Sequence, residues 1–190
     1  MHIPDALAWS LTVLFALLAV PSVYRLVRLD ATRYDPDIRQ MDVAEVLMVV
    51  AMVAMVSPLG GPIPAAGWQA ILALMAGWFL VAALRGRRCC AVHHMICAAA
   101  MLYMITAMPR HGMDHGPWLT MSEMPGSLAW PALAVAAVGY FAFDATRSGF
   151  TAARMVRGAP VREAWATRPI YRAAMGVGMA YMLLAGITPA

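Results

Sequence analysis

His94, Cys97, Met101, Met104 and Met108 follow one another at steps of three, four, three and four along an apolar stretch. On an α-helix those steps put all five side chains on one face. Thioether and thiolate sulfurs favour Cu(I), imidazole accepts copper in either state, and thioethers bring no fixed charge into hydrocarbon. Fourteen residues separate His94 from Met108, about 21 Å at 1.5 Å per residue, enough to cover most of a bilayer core. A row of weak neutral donors lets an ion enter, move and leave, which a single tight site does not.

The pattern recurs twice. Glu45, Met48, Met52 and Met55 keep steps of three, four and three, and Arg172, Met175, Met179 and Met182 keep the same steps. Each copy is a polar head followed by a ladder of Met or Cys. Ten of the 17 methionines lie in the three stretches that carry it. Methionine also favours helices and fills gaps between them, so a methionine face is equally what close packing uses. The threefold recurrence is what points beyond packing.

Other donors lie outside these stretches. His111, Met113, Asp114 and His115 crowd together, followed by Met121 and Met124. This segment reads either as an outer capture loop for copper or as a solvated turn. The chain opens Met1-His2-Ile3-Pro4, where a free amine, the next amide nitrogen and the His2 imidazole could chelate a divalent ion. That M-H-I-P opening resembles the start of the membrane substrate-capture subunits of cobalt and nickel importers, over about five residues. The resemblance implies that Met1 and His2 are metal ligands. Cys89, Cys90 and Cys97 are odd in number and clustered, which reads as reduced thiols instead of a disulfide framework.

The elements that must position these residues are membrane helices. Hydrophobic residues make up 62% of the 190 and charged residues 13%, against roughly a quarter charged in a soluble domain. Six stretches are long enough to span a bilayer, at about 6–27, 42–57, 67–84, 91–108, 128–146 and 170–187. The first lacks the basic start of a secretory signal, and its arginines Arg25 and Arg28 come after the apolar run, so it reads as a retained helix. The second is shortest and runs into Ser57-Pro58-Leu59-Gly60-Gly61-Pro62, a firm stop.

All 14 basic residues are arginines. With Arg25 at the end of the first span counted with Arg28, Arg33 and Arg39, the arginines of the successive connections number four, none, three, one and five, the alternation expected of a positive-inside chain with both termini extracytoplasmic. Trp9, Trp68, Trp118 and Trp130 then fall at the outer headgroup level. The net charge of +4 follows from this topology, and no nucleic-acid partner is needed. The expected fold is a single all-α membrane bundle over residues 1–190, with the ladders on the even-numbered helices and three helical hairpins as an internal repeat.

Asp42, Glu45, Asp144 and Arg172 sit near the cytoplasmic ends of their spans. They either pair and snorkel at the interface or form a site for an organic or lipid substrate. No Gly-rich phosphate loop, His-Glu-x-x-His helix or zinc-type cysteine pairing is present. The transmembrane histidines are adjacent on one helix, unlike a haem held between two, and no catalytic constellation stands out.

The whole chain resembles a family of uncharacterised actinobacterial multi-pass membrane proteins with a Met-rich helix of the kind A-x-x-M-x-[YW]-M and a His/Met-rich external loop. Ala98, Met101, Tyr103 and Met104 carry the helix motif beside His93 and His94, and His111, Met113 and His115 stand for the loop. The resemblance implies a membrane location. The Met48 to Met52 and Met175 to Met179 steps, with Cys97 to Met101, are also similar by analogy to the M-x-x-x-M step of trimeric copper transporters. The expected function is therefore binding or conduction of Cu(I) or another soft metal in a bacterial plasma membrane. The alternatives are a structural or accessory subunit acting with a membrane-protein partner or as a homo-oligomer, and a transporter or enzyme for an organic or lipid substrate.

Overall fold

The computed structural model describes residues 5–28, 36–59, 63–86, 88–107, 128–158 and 167–187. Among them are six helices and no strand: α1 (Asp5–Arg28), α2 (Pro36–Val56), α3 (Ala65–Leu84), α4 (Arg88–Ala107), α5 (Pro131–Gly158) and α6 (Thr167–Ile187). The described residues are all-helical in their regular structure. Three stretches are long and apolar enough to cross a membrane, Ala6–Val27, Ala65–Leu84 and Arg168–Ile187, and Ala91–Ala107 is a shorter apolar helix.

Two helices outrun their apolar segments. Helix α2 begins at Pro36 instead of residue 42, with Pro36 at the first helical position, where a missing N–H costs nothing. Helix α5 continues past residue 146 to Gly158, with Arg147, Arg154 and Arg157 along the extension. Helix propensity follows the backbone and is not bounded by the apolar run.

The chain forms two compact units, Met1–Pro125 with Ala190, and Gly126–Pro189. In the first unit α1 packs on α2, α3 packs on α4, and α2 touches α4. Helices α2 and α4 supply the interior, with Met48, Ala51, Met52, Met55, Cys97, Ala98, Met101 and Met104 all essentially inaccessible. Helices α1 and α3 turn large apolar side chains outward, among them Leu14, Leu17, Leu74 and Leu84. In water such a surface would be an aggregation liability, whereas in hydrocarbon it is ordinary. The turn from α3 to α4 passes through Gly86 at φ 90°, a backbone conformation open to glycine at no steric cost.

Trp68 is in the core of this unit, 1% exposed, with its indole N–H unpartnered among the described residues. Trp9 and Trp130, by contrast, are exposed.

The second unit is the α5–α6 hairpin. A side chain at Gly176 would meet the Ala145 Cβ and the Phe141 carbonyl oxygen, each at 3.1 Å. The small residues thus let the two backbones approach closely, as membrane helices do in the absence of a hydrophobic force between them. Leu128 donates its backbone N–H to the Gly186 carbonyl at 3.0 Å and lays its side chain over that glycine, tying the entry to α5 against the end of α6.

A candidate sulfur-lined site and its polar heads

Each ladder begins at a polar head, and each head is engaged by the odd-numbered helix of its own hairpin. Glu45, one turn before Met48 on α2, accepts the Ser22 hydroxyl at 2.7 Å and Arg25 Nη2 at 3.1 Å. Arg25 also reaches Asp42 Oδ1 through Nε at 3.0 Å and Nη2 at 2.7 Å, and Nη2 donates to Ser22 Oγ at 3.0 Å. Ser22 and Arg25 are three apart on α1, and Asp42 and Glu45 three apart on α2, so each pair shares a helix face. All four residues are buried, Arg25 at 5% and Asp42 at 0% exposure. Charged side chains this deep are stable only when paired and hydrogen-bonded.

His94 heads the ladder of α4. Its ring stacks on Phe79 of α3, with centroids 5.0 Å apart and planes 28° apart, and meets His93 edge-on at 5.8 Å. His93 Nε2 lies 3.5 Å from Cys97 Sγ. The i, i+4 relation of His93 and Cys97 brings imidazole and thiol together on one face, a pairing that a reading centred on His94 passed over. Arg172 heads the ladder of α6 and grips Asp144 of α5 with two hydrogen bonds, 2.8 Å from Nε and 2.6 Å from Nη2.

From their heads, the two ladders of the first unit continue as sulfur. Met48 is 1% exposed, and Met52, Met55, Cys97, Met101 and Met104 are each 0% exposed. Helix α6 carries Met175, Met179 and Met182, buried in the second unit. Among the described residues no three His, Cys, Asp or Glu side chains gather around one point. The interior donors are thus chiefly thioethers, with one imidazole–thiol pair. Met1, His2, Met108, His111, Met113 and His115 lie outside the described residues, as do the side chains of Cys89 and Cys90.

A family model described as domain of unknown function DUF5134 matches residues 37–186. The chain belongs to the DUF5134 family. No curated protein and no solved structure matches it. The DUF5134 match takes in α2 through α6, and with them all three ladders, while α1 and its Arg25 precede it.

Proposed function

We propose that this chain is a multi-pass protein of the bacterial plasma membrane, with six spans and both termini outside, that binds Cu(I) on α2 and α4. One observation carries the reading. Six soft side chains on two touching helices, Met48, Met52, Met55, Cys97, Met101 and Met104, are all withdrawn from the surface. Neutral thioethers at that depth offer a monovalent soft cation replacement ligands at little desolvation cost, and Cys97 beside His93 offers the stronger anchor. The pairing of Asp42 and Glu45 of α2 with Arg25 of α1 supports a membrane setting for the helix stretch that bears these two carboxylates. The actinobacterial affinity and the capture role of Met1, His2, His111, Met113 and His115 belong to the same proposal.

A second reading is favoured by the same burial: Met faces that pack helices in a structural or accessory subunit, alone or with a membrane-protein partner. Purified full-length protein titrated with Cu(I) against a chromogenic chelator separates the two. The copper reading expects near-stoichiometric binding that is lost in Met101→Leu combined with Met104→Leu. Binding that survives in that variant refutes the ladder, and a wild-type protein that takes no Cu(I) leaves the accessory reading.

A further inference from the structure

The first unit carries a groove of about 640 Å³ between α2 and α3, within the range of roughly 300–1,000 Å³ usual for ligand pockets. Val43 and Leu47 of α2 and Ile71, Leu74 and Phe79 of α3 line it, with Arg39 and Gln40 at one end. Gln40 and Trp78 also line an adjoining recess of about 460 Å³ bounded by Arg85. The groove is therefore apolar along its length with Arg39 at its end, and the adjoining recess adds Arg85.

Arg39 and Arg85 differ from Arg25 and Arg172. Arg25 and Arg172 are joined to carboxylates, but among the described residues neither Arg39 nor Arg85 is. Both are exposed, as is Trp78 between them at 60%. Guanidinium groups that close an apolar groove beside an indole lie where headgroups lie in a membrane protein. The planar N–H fork fits a phosphate in two-point fashion, and two such forks favour a head with net negative charge over a zwitterionic one.

We infer that the α2–α3 groove binds one anionic phospholipid, its acyl chain along Leu47 and Leu74 and its phosphate between Arg39 and Arg85. Phe79, on the groove wall, is the ring that stacks on His94, so the lipid touches the residue that holds the head of the α4 ladder. The inference rests on the membrane location and is independent of copper.

Native mass spectrometry of the full-length protein in neutral detergent tests it, with phosphatidylglycerol, phosphatidylcholine of the same chains, and inorganic phosphate as probes. Wild type is expected to retain one phosphatidylglycerol in preference to phosphatidylcholine. Arg39→Gln with Arg85→Gln is expected to weaken phosphatidylglycerol on the order of thirtyfold and to leave phosphatidylcholine unchanged, from about 1 kcal/mol per arginine and 1.4 kcal/mol per tenfold. Leu74→Trp, at a 75% exposed position, is expected to weaken both lipids by crowding the chain. Equal retention of the two lipids by wild type, or undiminished phosphatidylglycerol in the double variant, overturns the assignment. So does displacement by inorganic phosphate at the lipid's own concentration, which would mark a free-anion site. Circular dichroism monitors folding. If the double variant unfolds, the single variants decide, each expected to lose about fivefold.

Discussion

Arg25 in the first unit and Arg172 in the second both cross a helical hairpin to a carboxylate, but in different surroundings. Arg25 is buried among Ser22, Asp42 and Glu45. The Arg172 side chain is 34% exposed beside a buried Asp144. The exposed flank of Arg172 leaves its guanidinium open to other partners, whereas the Arg25 cluster has only itself. The first contact therefore holds its hairpin together, and the second chiefly sets the register of a hairpin that small residues already hold.

The sharpest way to break that contrast is Arg25→Leu. Two carboxylates would be left buried without their cation, at a cost of about 3–5 kcal/mol, so thermal unfolding in detergent should fall steeply or no folded protein should be recovered. A variant as stable as wild type would remove the distinction between the units. Next in size is Gly176→Leu, which drives a side chain into the Phe141 carbonyl and Ala145. Overpacking of this kind costs about 1–3 kcal/mol, and cysteine cross-linking across α5 and α6 should weaken with it.

Arg172→Leu is expected to cost less than Arg25→Leu, because it strips the cation from one buried carboxylate instead of two and Arg172 itself is partly exposed. Molar salt should shrink its effect while leaving that of Arg25→Leu intact. If the two arginines respond alike to salt, the difference in burial has no energetic meaning. The smallest effect is expected from Met52→Leu, a volume-conserving change below about 1.5 kcal/mol. Little loss of stability there, together with weaker Cu(I) binding, would separate coordination from packing.

Much of the architecture was legible because apolar runs of bilayer length mark helices whatever their neighbours do. The ladder spacing in particular placed Met48, Met52, Met55, Cys97, Met101 and Met104 in the interior, where they lie. The polar links were harder to read. Arg25 follows the apolar run of α1 and counts naturally as a loop arginine that orients the chain, yet it is inside the helix and committed to Asp42 and Glu45. Nothing in spacing connects residues 17 and 20 apart on different helices, since the link depends on how the hairpin turns back. The expectation that the charges near the helix ends pair with one another fits Asp144 and Arg172, whereas Asp42 and Glu45 pair with Arg25 instead. The stack of Phe79 on His94 was likewise hidden, because an aromatic residue in an apolar helix carries no sign of its partner. The burial of Trp68 was hidden in the same way, because its place near a helix start carries no sign of what packs on it.

The Arg25 cluster also bears on how the chain enters the bilayer. An aspartate at a helix centre raises the insertion cost by about 2.5–3.5 kcal/mol, and α2 carries both Asp42 and Glu45 near its start. In the proposed six-span topology the cation that neutralises them arrives on α1, so α1 is expected to wait at the translocon until α2 emerges and the two to leave for lipid as a hairpin. A truncation that begins after α1 should leave α2 accessible to protease from the cytoplasm, and restoring α1 with Arg25 intact should protect it.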